Sequence, residues 1–439
     1  MKKFYYTCAS LFLLIVFGAC EDFLEKEPLA QITPENYFWA ESELAAYAIN
    51  QYSFSTPGTK MGEKGGPQYA DTDTDNQADL SVENKWHPGK WKVGSSGGNW
   101  SFGKIFDCNY FLDIVVPRWE AGEITGDADN VKHYIGEMYF LRAYEYFNKL
   151  KAFGDFPIIE HALPDDESAL IEASKRMPQN EVARFIIKDL DTAIGLLKEK
   201  APGGTNRISR NVALLLKSRV ALYEGTWLKY HANTARVPLG PGWPGKDREY
   251  NKGYQFPAGN LEKETEYFLD ECMKSAKEVA DKIKLTENNG KMNETSEAGN
   301  KYYDMFAKTD LSSYPEVLLW RAYNVSLVAH SMNHFLQYGG GGNGFTRSFV
   351  DCFLMKNGLP IYADGADYAG DDFIGDVKKN RDSRLVLFMK APGETLALTG
   401  TSKNQNVLGF MADKEIKSDI VQDMPSKKDV QRTMHNKNR

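Results

Sequence analysis

Between Val131 and Ile159 the positions Tyr134, Met138, Leu141, Tyr144 and Tyr146/Phe147 recur at roughly helical spacing. Lys132, Glu137, Arg142, Glu145 and Lys149 fill most of the opposite face. This pattern predicts an amphipathic helix of about six turns. Gly154 follows its last apolar turn and Pro157 forbids continuation. So aromatic a helix should pack against other helices rather than face solvent.

The same period recurs along the chain. Thr33 reads as a cap before Pro34 and Glu35, opening a helix through Phe38 and Leu44 to about Tyr52. Another runs from Phe102 to Trp119, broken by Pro117. Pro178 and Asn180 start a third on the apolar face Val182, Phe185, Ile186, Leu190 and Leu197. Ser209 starts a fourth, ending near Tyr223, and a fifth spans Leu261 to about Ile283. Two stretches break the period: 57–99, rich in Gly, Pro, Asp, Asn and Trp, and 228–260. An irregular stretch as long as the first is either functional or disordered, and Trp86, Trp91 and Trp100 argue against disorder.

At 439 residues, 42% of them hydrophobic, the chain can bury a large core. A net charge of −7 argues against nucleic acid as a partner and gives no attraction to anionic lipid. Cys8, Cys20, Cys108, Cys272 and Cys352 form no CxxC pair, so neither a zinc site nor a disulfide framework is expected, and the last three read as buried free thiols. His330 and His334 share a helical spacing but lack a third ligand. Asp71, Asp73 and Asp75 are spaced like the start of a calcium loop, yet Asn76 and Val82 stand where that loop needs Gly and Glu. A looser structural calcium site, a polar sugar-binding rim and a solvated acidic loop stay open. No GxSxG elbow or HExxH pair appears, and no other cofactor is implied.

Lys2 and Lys3 precede the apolar run Leu11–Phe17 and then Gly18-Ala19-Cys20. A basic start, an apolar core too short to span a bilayer and small residues before the cut make 1–19 a secretory signal. The placement of Cys20 resembles a lipoprotein signal, with Cys20 as the acylated first residue.

FLRAYEYFNKLKAFGDFPII (140–159) resembles the signature of the SusD/RagB family of Bacteroidetes outer-membrane lipoproteins. RNVALLLKSRVALYEG (210–225), Tyr302–Phe306, the segment from Phe345 to Ile361 and the Asn380–Leu385 segment, with Ala391-Pro392-Gly393 after it, resemble further motifs of that family in order. Asn109 falls where the family often places an asparagine. The resemblance implies a mostly α fold: tetratricopeptide-like helix pairs in a right-handed superhelical scaffold, with a large irregular, loop-rich lobe. It divides 20–439 into an N-terminal part (20–225), an irregular lobe (226–400) and an atypical tail (401–439). The family's C-terminal helical motifs find no match in that tail, so the chain reads as shortened.

The function implied is a non-catalytic, lipid-anchored, surface-exposed protein of the cell outer membrane. It would capture oligosaccharides and deliver them to a SusC-like TonB-dependent porin. A flat indole stacks on the apolar face of a pyranose while Asp and Asn bond its hydroxyls. Trp86, Trp91, Trp100, Tyr69 and Asp75 of the first irregular stretch, with Tyr338 and Asn343 beside the run Gly339–Gly344, are therefore the candidate glycan contacts, and Trp243 and Tyr254 are further ones. The alternatives are a secreted glycoside hydrolase, which needs two carboxylates about 5–10 Å apart in a cleft, and a peptide-binding member of the same family.

Overall fold

The segment with the clearest helical period becomes the central helix. The computed structural model describes residues 36–52, 54, 98–291, 299–306, 308–324 and 344–389, with short pieces at 60–61, 71, 74–78, 88–90, 92, 94, 329–330, 395–398 and 418–420. Its helices are α1 (Glu41–Asn50), α2 (Gly103–Glu120), α3 (Ala128–Phe153), α4 (Glu167–Ala173), α5 (Gln179–Leu196), α6 (Arg210–Tyr230) and α7 (Leu261–Ala280). Short helices follow: α8 (Lys301–Met305), α9 (Arg347–Cys352), α10 (Ile374–Lys378) and α11 (Ser383–Phe388).

The strands are short. They are β1 (Lys60–Met61), β2 (Gln77–Ala78), β3 (Phe156–Pro157), β4 (Arg176–Met177), β5 (Ala329–His330), β6 (Gly344–Phe345), β7 (Thr395–Leu398) and β8 (Ser418–Ile420). They pair two by two: β1 with β5 in parallel, and β2 with β6, β3 with β4 and β7 with β8 antiparallel. The fold is thus mostly helical, as expected.

The Asp127 carboxylate caps α3 by accepting from Asn130 N at 2.8 Å, and Gly154 ends it at φ 67°. α3 packs against α1, α2 and α5, α5 against α6, and α6 against α7. One core holds this array together, from Phe38 and Phe111 through Ile135, Met138 and Tyr146 to Ile186, Val220 and Phe268. Two glycines set how closely helices approach. A Cβ at Gly225 would lie 2.9 Å from Leu269 Cδ2 of α7, and one at Gly136 would lie 3.0 Å from Leu196 Cβ. A second, far smaller cluster joins Val350, Val377, Leu385 and Met389 beneath α9, α10 and α11.

Several expectations are corrected. Glu137, Arg142 and Lys149 do not line a solvent face; all three are buried, because α3 is covered on nearly every side. Phe38 precedes its helix: it sits at φ 71° and drives its ring among Tyr37, Tyr47, Tyr110 and Phe111. α1 begins at Glu41, where the Glu43 carboxylate accepts from Trp39 N and Ala40 N. Thr33 and Pro34 lie outside the described residues. Pro117 is carried inside α2, in its last turn, where a missing N–H costs one bond and the helix ends three residues later. α6 continues through Leu228 to Tyr230, so the helical array does not stop at 225. Of the free thiols Cys108 is buried, Cys272 half-buried and Cys352 exposed.

Candidate functional site

The signature residues of 140–159 build a scaffold before they build a surface. Arg142 donates twice to Asp189 of α5, from Nε at 2.7 Å and Nη2 at 2.8 Å. Its Nη1 donates to Asn109 Oδ1 of α2 and to Glu160 O. Asn109 Nδ2 in turn donates to Ile159 O and His161 O. Tyr146 OH accepts from Ile159 N at 2.7 Å and donates back to Ile159 O. The chain leaving α3 is thereby stitched onto three helices. Asp155 finishes the stitch: Oδ1 accepts from Gln179 N, in the first turn of α5, and Oδ2 from Trp243 Nε1 at 2.8 Å. Burial raises the Asp155 pKa and these bonds pull it back.

A second knot gathers on Glu137. It accepts from Tyr52 OH, Arg207 Nε and, from Arg207 Nη2, at 2.5 Å on the other oxygen. His133 Nδ1 accepts from Lys198 N, which leaves its Nε2–H to donate to Glu137. A third knot centres on Glu264, which Arg184 and Asn180 bond while Tyr254 OH donates to Asn180. Near it, Glu224 is fully buried; Gln179 donates to one oxygen and the other has no partner. Burial lifts its pKa to about 8.

These contacts settle two weaker candidates: Trp243 is buried with its N–H committed, and Tyr254 is half-buried with its hydroxyl committed. Among the leading candidates, Trp86, Trp91, Tyr69, Tyr338 and Asn343 lie outside the described residues, as do Cys20 and the 1–19 leader. The side chain of His330, all of His334 and nearly all of the 401–439 tail lie outside as well.

Trp100 is 42% exposed. Its ring meets Phe102, Phe153 and Phe156 edge to face at 4.9–5.8 Å, and the Arg176 guanidinium lies 4.5 Å over it. A sugar stacking there has only the other face to use. Asp75 is exposed, and its carbonyl accepts from Ser348 Oγ at 2.9 Å and from Thr346 Oγ1. Asp71 accepts from Thr74 and Asn76 side chains. Among the described residues no group of three His, Cys, Asp or Glu side chains stands close enough to hold a metal.

Residues 76–78 of the irregular stretch are nonetheless anchored. β2 pairs with β6 in the register Gln77↔Phe345 and Ala78↔Gly344, and Thr346 N donates to Asn76 O at 2.9 Å. Asp75 therefore lies beside the end of the glycine run, and Phe345, itself exposed, starts a ladder through Phe349 to Phe353.

One surface group was missed from sequence. Tyr303 stacks on Phe388 at 5.7 Å, and Phe306 packs edge-on to Phe388 at 5.1 Å, with Phe306 61% exposed. The two helices that carry these rings are tied through Asn288, which donates to Ser383 Oγ of α11 and accepts from Asn300, the cap of α8. The group's only signal was the Tyr302–Phe306 motif, because Phe388 comes from an element more than 80 positions on.

Residues 22–222 match the SusD-like family model described as starch-binding and associating with the outer membrane. Over that part the chain is similar to the SusD/RagB family. A SusD-like protein of Formosa agariphila is 28% identical over 213 residues, 44% of this chain and 38% of that protein. Another from the same organism is 27% identical over 256 residues, 54% and 46% of the two chains. This SusD-like chain thus matches less than half the length of these curated relatives. The crystal structure of a SusD-like carbohydrate-binding protein of Bacteroides fragilis superposes with a TM-score of 0.52, at 16% identity, over 81% of this chain and 61% of that one. That likeness establishes the fold and nothing finer. Among the described residues no helix is long and apolar enough to cross a membrane.

Proposed function

We propose that this chain is a non-catalytic glycan-binding lipoprotein of the outer membrane, anchored through acylated Cys20. It captures oligosaccharides at the cell surface and passes them to a SusC-like TonB-dependent porin. The reading calls for no cofactor. The similarity of residues 22–222 to the SusD-like family supports its class. The observation that supports a site in the first irregular stretch is the β2–β6 pairing, which sets Gln77 and Ala78 beside Phe345 and Gly344. In this reading Trp86, Trp91, Trp100, Tyr69 and Asp75, with Tyr338 and Asn343, are the residues that contact the glycan.

The test is retention on immobilised polysaccharides, with reducing ends measured in the same samples. The chain is expected to be retarded on at least one matrix and to release no reducing ends. Replacing Trp86, Trp91 and Trp100 together with Ala is expected to abolish retention. Steady release of reducing ends overturns the non-catalytic reading, and unchanged retention of the triple variant overturns the site. For the anchor, Cys20→Ser is expected to eliminate palmitate incorporation and move the protein from the membrane fraction to the soluble one.

A further inference from the structure

Between α3 and α6 lies an open trough of about 440 Å³. Tyr144, Phe147 and Lys151 line it from α3, at i, i+3 and i+7; Arg219, Leu222 and Tyr223 line it from α6, at i, i+3 and i+4. Each helix thus turns one stripe toward the same space. Phe147 and Tyr223 meet edge to face at 5.6 Å to form the floor. Leu222, 48% exposed, lines it at the surface, and the buried Leu216 lines it from less than two turns earlier on α6.

The trough carries two cations. On α6, Lys217 pairs with Asp191 and Glu271 and Arg210 with Glu278, while Lys229 lies over the Tyr230 ring. Lys151 and Arg219 have no carboxylate partner among the described residues. Lys151 Nζ instead lies 4.7 Å over the Phe147 ring. Partial burial and the like charge of Arg219 both lower the Lys151 pKa. In a chain of net charge −7 this is a local positive spot beside apolar surface.

The chemistry disfavours a neutral sugar. No amide or carboxylate lines the trough, and the Thr226 hydroxyl is spent on Leu222 O and Tyr223 O. Two parallel stripes of apolar side chains with cations at the edge suit a helix laid in a groove. The chain's own last stretch has the wrong sign: 426–439 holds Lys427, Lys428, Arg432, Lys437 and Arg439 against a single Asp429.

We propose that this trough seats an acidic amphipathic helix of a second polypeptide. Its apolar side chains lie against Tyr144, Phe147, Leu222 and Tyr223, and its carboxylates meet Lys151 and Arg219. The proposal goes beyond the glycan reading and does not depend on it.

The probe is a fluorescein-labelled amphipathic peptide of about five helical turns, with Leu on one face and Glu on the other, set against a twin carrying Lys in place of Glu. Anisotropy titration into the purified chain should show the Glu peptide bound at least about tenfold more tightly than the twin. Lys151→Glu/Arg219→Glu should reverse that order, and Leu222→Ser should weaken the Glu peptide about tenfold while leaving sugar retention unchanged. All three positions are exposed, and circular dichroism checks that each variant folds. Equal binding of the two peptides, no binding of either, or an order untouched by charge reversal overturns the proposal. So does self-association of the chain in sedimentation that the double variant abolishes, which assigns the trough to a second copy.

Discussion

Arg142 and Arg381 are both buried, and they hold their regions in different ways. Arg142 meets a carboxylate in a bidentate pair, inside a continuous core shared by the major helices α1, α2, α3, α5, α6 and α7. Arg381 collects carbonyls instead: Val377 O at 3.2 Å, Val350 O at 2.6 Å and Phe353 O at 2.7 Å. Its Nε is left without a partner, and burial lowers its pKa. Where helices are long, backbone carbonyls accept from the N–H groups of their own helix and a buried charge must find an opposite charge. The helices around Arg381 have five or six residues, so many of their carbonyls are unpaired and one guanidinium can serve several. In the first region the side chains are organised by helices; in the second, a side chain organises the helices.

The largest effect should follow from breaking the first arrangement. Arg142→Met leaves Asp189 buried without its charge partner and should cost about 3–5 kcal/mol of global stability, read by urea unfolding. Adding Asp189→Leu should recover most of that loss, because an apolar pair of similar size needs no compensation. A double variant as unstable as the single one would mean that Arg142 acts mainly through Asn109 and Glu160. Arg381→Met should cost about 1–3 kcal/mol by stranding buried carbonyls, and the loss should be local. Amide exchange should quicken across 347–388 while α3 and α5 keep their protection. Equal loss of protection in both regions would show that the two clusters unfold as one unit.

A third effect belongs to the helical region alone and depends on pH. Glu224 has its pKa raised from an ordinary 4.5 to about 8, first by burial. Between those values the folded state holds a proton that the unfolded state has lost. The associated stability is fully present below about pH 4.5 and declines as pH rises toward about 8, by at most about 1.4 kcal/mol per pH unit. Glu224→Gln should remove this slope and make the variant more stable than the parent at pH 8. Thermal melts at pH 5 and pH 8 measure it; equal slopes in the two proteins would place the titration elsewhere.

The comparison also marks what the sequence could convey. The helices α2, α3, α5, α6 and α7 were legible because a 3.6-residue apolar period needs no partner to be seen. The polar residues of α3 were misread by the same logic. Period alone assigns Glu137 and Arg142 to water, whereas Tyr52, Arg207 and Asp189, which make their burial tolerable, lie 47 to 85 positions away. The second region was legible only through its motifs. Even those did not foretell that Arg381 bonds carbonyls, or that Phe388 completes a platform with Tyr303. For the candidate site, Trp100 was visible as an aromatic in an irregular stretch, but its covering cation comes from β4.

That cation allows the smallest and most discriminating change. Arg176 lies over the Trp100 ring, and an exposed cation–π contact contributes about 0.5–1 kcal/mol. Arg176→Ala should cost no more than that, while opening a second indole face and shifting Trp100 emission toward the red. If Trp100 is a stacking platform, retention on a bound polysaccharide should rise, since the added face is apolar and flat. If retention falls while the melting temperature is unchanged, Arg176 itself bonds sugar hydroxyls and the platform is a composite of cation and ring. If neither changes, Trp100 is a pin between α3 and the 98–102 segment, and glycan recognition moves to the other tryptophans or to the Tyr303–Phe388 face.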